Sequence, residues 1–182
     1  QYAVMEVSSH ALDQGRVDGC HFDAAVFTNL TQDHLDYHGT MENYLAAKKK
    51  LFTMCDRGVV NWDDPDSARI REGIVCPFVT FSATQDAADY TARNIHKRPD
   101  GVDFELVGTG DIDRVRLPIP GDFSVYNAMA AAACALAIGL PFDKVVAALC
   151  SCKGVKGRAE IVPTGRDFTI VIDYAHTPDG LL

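Results

Sequence analysis

The sequence predicts an α/β fold in which helices flank a mostly parallel central sheet, with a small antiparallel β region attached. Short continuous apolar runs, such as residues 2–7 and 24–28, are typical of parallel strands buried on both faces. These runs alternate with segments of helical periodicity, as in βαβ units. Between residues 89 and 120, alternating apolar and polar residues are separated by glycine-containing turns, which indicates antiparallel hairpins.

The same patterns place the individual elements along the chain. Strands are predicted at residues 2–7, 24–28, 58–61, 78–81, 102–107, 115–119 and 169–173. Helices are predicted at residues 40–54, 125–138 and 142–149, with a further candidate at 67–72. Gly139 and Pro141 follow the second of these helices, and a glycine with a nearby proline favours a sharp helix end.

Length and composition exclude several classes of protein. The chain has 182 residues, of which 47% are hydrophobic, so it is long enough for one domain with a real core. Its net charge of −8 argues against non-specific binding to nucleic acid, which needs a basic surface. No apolar run has the length of a membrane span. The six cysteines have no zinc-type spacing, which favours small buried thiols in a reducing cytoplasm.

Both ends of the sequence predict further protein beyond them. The chain opens directly on an apolar strand pattern, without an initiator methionine or a secretory signal. A natural domain rarely begins inside a core strand, and the last predicted strand starts shortly before the chain ends. We therefore expect one domain over residues 1–165, truncated before residue 1, and the beginning of a second domain over residues 166–182.

Lys48 lies on the apolar face of the predicted helix 40–54. It follows Tyr44 by one helical turn and precedes Phe52 by another, so the three side chains share one stripe. An inward lysine is costly unless it is paired, neutralised or chemically changed. One interpretation is a neutral amine near magnesium that adds carbon dioxide to become a carbamate. The alternative is a lysine whose stem covers apolar surface while its head reaches water.

Two loops that follow apolar strands carry possible magnesium ligands. Glu6 ends the first predicted strand, and His34 lies in the loop after the second. Ligands collect beyond the carboxyl ends of neighbouring parallel strands, and a carboxylate suits magnesium. The alternatives are a solvated carboxylate at Glu6, a helix N-cap at Ser8 and an ordinary surface histidine at His34.

Three further residues suit a nucleotide. Asn127, near the start of the predicted helix 125–138, carries both a donor and an acceptor for the edge of a purine. Arg158 suits bidentate contact with phosphate, and Asp173 at a strand end suits ribose hydroxyls. The alternatives are a helix cap for Asn127 and surface or interdomain ion pairs for Arg158 and Asp173.

Taken together, five segments of the sequence resemble the Mur ligase family. They are EVSSHALDQGRV (6–17), FTNLTQDHLDYHGTMENYLAAKKKLF (27–52), GDFSVYNAMAAAA (121–133), GVKGRAE (154–160) and IDYAHTPDGL (172–181). The segments occur in the order of the family and span nearly the whole chain. The resemblance is strongest to the branch that adds the third residue to the peptidoglycan stem peptide, and it implies a P-loop-type central domain.

The resemblance also implies roles for individual residues. The implied magnesium ligands, which are also the implied catalytic residues, are Glu6, His34 and Lys48, the last as a carbamate. The implied contacts to the UDP-MurNAc-dipeptide are Ser8, Gln14 and Arg16. The implied contacts to ATP are Asn127 for adenine, Arg158 for phosphate and Asp173 for ribose. His176 falls where the central and C-terminal domains of the family meet.

The reaction implied by the resemblance is ATP-dependent amide formation in cytoplasmic peptidoglycan synthesis. The D-glutamate carboxylate of UDP-N-acetylmuramoyl-L-alanyl-D-glutamate attacks the γ-phosphate of ATP and becomes an acyl phosphate. The amine of a diamino acid, meso-diaminopimelate or L-lysine, then displaces phosphate. The implied partners are these small molecules and the N- and C-terminal domains of the same protein, without nucleic acid or membrane.

The sequence departs from the family pattern at one important point. The GTNGKT loop that binds phosphate is absent, and no G-x-x-x-x-G-K-[ST] pattern occurs. We therefore expect no ligase activity from this chain alone. Open alternatives are another Mur step, folylpolyglutamate synthetase, a non-catalytic nucleotide-binding module and a metal-dependent hydrolase with a carbamylated lysine. The scattered histidines disfavour the hydrolase.

Overall fold

A six-stranded mixed sheet forms the centre of the computed structural model, which describes residues 1–31 and 35–175. Its strands, which are neighbours in chain order, are β1 (Ala25–Phe27), β2 (Gly58–Asn61), β3 (Phe78–Ser82), β4 (Tyr90–Arg98), β5 (Gly101–Val107) and β6 (Ile112–Leu117). Strands β1 to β4 are parallel, and β4 to β6 are antiparallel. The predicted fold class is confirmed.

Helices and a second, smaller sheet complete the described fold. The helices are α1 (Ser9–Asp13), α2 (Leu35–His38), α3 (Met41–Lys49), α4 (Ser67–Arg71), α5 (Asp122–Ala137) and α6 (Phe142–Cys150), and a 3-10 turn (Lys50–Thr53) follows α3. Strands β7 (Glu160–Val162) and β8 (Ile170–Ile172) pair with each other in an antiparallel arrangement. No helix in residues 1–31 and 35–175 combines the length and apolar character that a membrane crossing requires.

Strand β2 separates two hydrophobic clusters because alternate side chains of a strand point to opposite faces of the sheet. Val59 packs with Phe81 and Met129 in the cluster under α5 and α6. Val60 packs with Phe27 and with residues of α3 in the other cluster. Both faces of the parallel strands are therefore covered by helices, which explains why their sequences read as continuous apolar runs.

The end of α5 and the antiparallel strands follow the sequence predictions closely. Gly139 has φ +88°, and its N–H donates to the carbonyl of Leu136, which is the arrangement of a helix end at glycine. Pro141 then stands at the N-cap of α6. Alternate residues of β5 are fully buried, which matches its alternating pattern. These strands lengthen the sheet by hairpins rather than by further crossovers.

The predicted core strand at residues 2–7 is wrong for this structure. Tyr2 is 67% exposed and Val4 is completely exposed, and the segment is in no strand. An apolar run becomes a strand only when a neighbour satisfies its backbone groups. Within the described residues no strand pairs with the outer edge of β1, so the apolar segment 2–7 is not hydrogen-bonded to a neighbouring strand.

Several other boundaries differ from prediction. The predicted helix 40–54 stops as an α-helix at Lys49 and continues as a 3-10 turn. The predicted strand 169–173 is β8, which is exposed and pairs with the unpredicted β7 instead of lying in a core. The expectation of buried cysteines is wrong for three exposed residues, Cys20, Cys150 and Cys152.

Candidate functional site

A cavity of about 290 Å³ opens at the carboxyl ends of β1, β2 and β3. The residues that line it are Thr28, Asn29, Asn61, Asp63, Asp64, Pro65, Phe81, Phe123, Tyr126 and Asn127. The first six lie at the end of β1 or β2 or in the loop that follows, and the last three belong to α5. In open α/β sheets this edge is where ligands bind.

Two side chains fasten the loop after β1 to the loop after β2. The Asn61 amide donates to the carbonyl of Thr28 over 2.9 Å. The carboxylate of Asp64, which is buried, accepts a hydrogen bond from the backbone N–H of Leu30 over 3.0 Å. The cavity rim is therefore built from loops that already satisfy one another's polar groups.

Asp63 joins β2, β3 and α5 beside the cavity. Its carboxylate accepts hydrogen bonds from the hydroxyls of Ser82 and Thr84, each over 2.6 Å, and from the N–H of Ala83 over 2.7 Å. Burial by itself raises the pKa of Asp63, but these bonds and one from Tyr126 outweigh burial and lower that pKa. Burial, followed by the nearby Asp63 charge, raises the pKa of Tyr126 to about 12.

The lowered pKa of Asp63 predicts a loss of stability in acid. The carboxylate contributes stability that is fully present above its unfolded pKa, 3.8, and is lost as pH falls through the lower folded value. We expect the free energy of unfolding, measured by urea titration, to fall less steeply below pH ~4 in Asp63→Asn than in the unmodified chain. Asp86→Asn, which alters an exposed carboxylate paired with Arg93, serves as the control. An unchanged acid dependence in Asp63→Asn contradicts the prediction.

Lys48 reaches the same edge of the sheet from α3. Its Nζ donates to the carbonyl of Asn29 over 2.9 Å, and Asn29 lines the cavity. The Nζ also lies 5.0 Å from the ring centre of Tyr44 and 5.9 Å from that of Phe27. Lys48 thus occupies the face of α3 that its spacing predicts, with a carbonyl and two aromatic rings around its head.

Asn127 lies inside α5, and this position excludes the alternative that it caps the helix. The helix begins at Asp122 with Gly121 at the N-cap, so Asn127 does not cap it. Its side chain is exposed and lines the cavity together with Phe123 and Tyr126. A cavity that combines an exposed amide with aromatic rings suits the edge and face of a planar base. Asn127 therefore lines the same cavity as Asn29, the residue whose carbonyl accepts the hydrogen bond from Lys48.

His38 is a residue of this region whose contacts the sequence did not predict. Its ring is buried, and its Nε2 shares a hydrogen bond of 2.9 Å with the hydroxyl of Ser9. The ring also stacks on Tyr44, with 5.2 Å between ring centres. His38 therefore links the start of α1 to the helix that carries Lys48. The DHLDYHG segment contains this histidine, but nothing local in the sequence indicates its partner.

The residues implied to contact the dipeptide lie in and just after α1. The Ser8 hydroxyl accepts from the N–H of Ala11 over 3.2 Å, so Ser8 is the helix N-cap that the alternative interpretation proposed. Arg16 donates to the Gln14 side chain over 2.6 Å, and both residues are exposed. Helix α1 packs against α3, which places this group beside the Lys48 helix.

Among the described residues, no hydrogen bond or ion pair joins two of the implied magnesium ligands. His34, like His176, lies outside the described residues. Glu6 is exposed, and within residues 1–31 and 35–175 it makes no hydrogen bond or ion pair. No group of three or more histidine, cysteine or acidic side chains in the described part of the chain is arranged to hold a metal ion. The carboxylates of Asp63 and Asp64 are already engaged by hydrogen bonds. The described residues therefore provide an incomplete set of magnesium ligands.

Arg158 and Asp173 lie close together just outside the second sheet, before β7 and after β8. Hydrogen bonds from the N–H groups of Ala159 and Ala175, each 2.7 Å, lower the pKa of Asp173, and the charge of Arg158 lowers it further. The guanidinium of Arg158 lies 4.9 Å from the ring centre of Tyr174. These contacts associate both residues with the β7–β8 sheet rather than with the lining of the cavity.

Comparison with known proteins gives a consistent picture. Residues 1–135 match the family model described as the Mur ligase middle domain. The UDP-N-acetylmuramoyl-L-alanyl-D-glutamate–2,6-diaminopimelate ligase of Bacillus licheniformis is 47% identical over 188 aligned positions, which cover 98% of this chain and 38% of the relative.

Solved structures of ligases share the fold. A structure of a UDP-N-acetylmuramoyl-L-alanyl-D-glutamate–2,6-diaminopimelate ligase superposes with a TM-score of 0.81 at 36% identity, covering 96% of this chain and 37% of that chain. MurF from Acinetobacter baumannii superposes with a TM-score of 0.79 at 27% identity, covering 87% of this chain and 35% of that chain. The chain thus spans less than two fifths of these proteins.

Proposed function

Since the chain belongs to the Mur ligase family, we propose that it forms most of the middle, nucleotide-binding domain of an ATP-dependent amide ligase of peptidoglycan synthesis. The observation that carries the proposal is the cavity at the carboxyl edge of the sheet. Asn127 and Asn29 both line this cavity, and the Asn29 carbonyl accepts a hydrogen bond from Lys48. We place the domain over residues 1–165 and the start of the next domain over residues 166–182, and we expect the enzyme to work in the cytoplasm.

The substrate class follows from the relatives. The curated relatives that match over nearly the whole chain are named as ligases of UDP-N-acetylmuramoyl-L-alanyl-D-glutamate and 2,6-diaminopimelate. We therefore propose that the dipeptide precursor and 2,6-diaminopimelate, rather than L-lysine, are the substrates. In the proposed reaction the D-glutamate carboxylate takes the γ-phosphoryl group of ATP, releasing ADP. The diaminopimelate amine then forms the amide and releases phosphate.

The described residues have distinct parts in this proposal. Asn127 offers its amide to the edge of adenine, and the rings of Phe123 and Tyr126 bound the same space. Lys48 holds the loop after β1 through Asn29 and brings a nitrogen to the edge where negative charge develops on the transferring phosphoryl group. Arg158 and Asp173 are proposed to contact the phosphate and ribose of ATP.

The remaining proposed contacts surround Lys48. Ser8, Gln14 and Arg16 are proposed to contact the dipeptide precursor. Magnesium, when bound, neutralises charge on the phosphoryl oxygens. We propose that Glu6 and His34 hold it together with Lys48 in carbamylated form. The carbamate nitrogen keeps one N–H, so carbamylation of Lys48 is compatible with its hydrogen bond to Asn29.

A chimeric ligase tests the proposed function. In the chimera, the 182-residue chain replaces the matched segment of the Bacillus licheniformis ligase, and that ligase supplies the rest of the enzyme. We expect release of phosphate from ATP that requires both the dipeptide precursor and 2,6-diaminopimelate, because the replaced segment contains the proposed nucleotide cavity. The unmodified relative is the positive control. A folded chimera that shows no substrate-dependent phosphate release contradicts the proposal.

The chain by itself is expected to show no turnover. Its sequence lacks a G-x-x-x-x-G-K-[ST] loop, whose backbone N–H groups and lysine hold the phosphates in P-loop enzymes. The measurement is phosphate release by the purified chain with ATP, magnesium, the dipeptide precursor and 2,6-diaminopimelate, beside the chimeric ligase at equal concentration. Clear substrate-dependent turnover by the chain alone refutes this expectation.

A further inference from the structure

Two cysteine side chains face each other at the amino-terminal ends of β2 and β3. The Sγ atoms of Cys55 and Cys76 are 3.9 Å apart, although the residues are 21 positions apart in the sequence. Cys55 is buried, with 8% of its surface exposed, and Cys76 is half-buried. The cavity described above lies at the other end of the same strands.

The backbone on both sides of the pair is held in place. The N–H of Gly58 donates to the carbonyl of Pro77 over 2.9 Å, which joins the segment after Cys55 to the segment after Cys76. The N–H of Asp56 donates to the carbonyl of Phe22 over 3.0 Å. A disulfide needs an S–S separation of about 2.0 Å, so the sulfur atoms have to approach by about 2 Å. Rotation of the two side chains is the movement that brings them together while the strands stay paired.

We propose that Cys55 and Cys76 are a dithiol modification site that closes to an intramolecular disulfide when the chain meets a low-molecular-weight disulfide such as oxidised glutathione. The Cys76 thiolate attacks one glutathione sulfur, the S–S bond of oxidised glutathione breaks, and one glutathione leaves as a thiol. The Cys55 thiol then loses its proton and attacks the Cys76 sulfur, which expels the second glutathione. The two cysteines are oxidised, and one glutathione disulfide is reduced to two thiols.

The environment of the two thiols sets this order. Burial, followed by the adjacent Cys76, raises the pKa of Cys55 to about 12, which makes Cys55 a poor first nucleophile. Cys76 is the more accessible of the pair. Once Cys76 carries glutathione, its sulfur bears no thiolate charge, so it no longer opposes ionisation of Cys55. The first step therefore removes the smaller cause of the raised Cys55 pKa, while burial, the larger cause, remains and makes the closing step the slower one.

Closure has a measurable consequence for stability. A disulfide that closes a loop of this length restricts the unfolded chain, and we expect the thermal midpoint to rise by roughly 5–10 °C. Because the pair lies at the opposite end of the strands from the cavity, closure leaves Asn61 and the cavity rim in place.

The test uses the 182-residue chain with Cys20, Cys150 and Cys152 changed to serine, because these exposed thiols also react. After treatment with oxidised glutathione and alkylation of the remaining thiols in denaturant, we expect the mass of a protein with one alkyl group, on Cys134, less two hydrogen atoms, and no glutathione on Cys55 or Cys76. Trypsin without reduction should yield peptide 51–57 joined to peptide 72–93. The thermal midpoint should rise and return after treatment with dithiothreitol.

One further substitution in the protein with three serine changes identifies each step. With Cys55→Ser, the reaction should stop at one glutathione on Cys76, and with Cys76→Ser, Cys55 should stay unmodified. The proposal is overturned if the protein with only the three serine changes ends with glutathione on Cys55 or Cys76, or with both of these thiols alkylated. It is also overturned if the joined peptides contain Cys134 instead of the Cys55–Cys76 pair.

Discussion

Replacing Lys48 with methionine is expected to lower kcat of the chimeric ligase by at least about 100-fold. Methionine retains the apolar stem that packs near Tyr44 and Phe27, but it loses the nitrogen that reaches Asn29 at the cavity edge. In the proposed function, that nitrogen either faces the charge developing on the phosphoryl group as an ammonium or carries a carbamate that would hold magnesium. The measurement is steady-state phosphate release with saturating substrates.

Lys49→Met is the matched control for this prediction. Lys49 is the next residue of α3, and its Nζ also donates to a backbone carbonyl, that of Glu72, over 2.7 Å. Its partner lies after α4, away from the cavity lining, so this variant should keep kcat within about twofold of the parent. If both variants fold and have similar kcat values, the proposed part of Lys48 in the reaction is wrong.

Replacing Phe81 with alanine is expected to lower the free energy of unfolding of the chain by about 3–5 kcal/mol. Phe81 is fully buried in the cluster with Val59 and Met129, so alanine leaves a cavity that close-packed neighbours fill only in part. Urea titration followed by circular dichroism measures the loss.

Phe123→Ala is the control for Phe81. Phe123 lines the same cavity as Phe81 but is 50% exposed, so its removal should cost no more than about 1 kcal/mol. If the two alanine variants lose equal stability, the buried position of Phe81 in the hydrophobic cluster is wrong.

The sequence predicts elements well where the local pattern and the tertiary environment agree. Strand β5 has one buried face, and its alternation identifies it directly. The end of α5 is identified by Gly139 and Pro141, whose backbone preferences act locally. The segment 2–7 has an equally clear apolar pattern, but a strand also needs a hydrogen-bonding neighbour, which a single segment does not reveal.

The candidate site was predictable to a similar extent. The face of Lys48 follows from helical spacing, and the cavity at the carboxyl edge follows from the parallel strands. The bond between His38 and Ser9 joins residues 29 positions apart, and the Asp63 bonds join three elements. Such pairings depend on the tertiary arrangement of loops that are distant in sequence, so a local sequence pattern does not predict them. The structure tests only where the described side chains lie, so every role given to a site residue stays a prediction: Glu6, Ser8, Gln14, Arg16, His34, Lys48, Asn127, Arg158 and Asp173.

The hydrogen bonds of Asp63 have a consequence for ligand affinity. They hold Tyr126, one residue before Asn127, against the loops after β2 and β3 before any ligand arrives. Ordering a flexible wall costs each immobilised side chain about 0.5–1.5 kcal/mol on binding. A preorganised wall avoids that entropic cost, so in the proposed complex more of the contact energy with a nucleotide base is expressed as affinity.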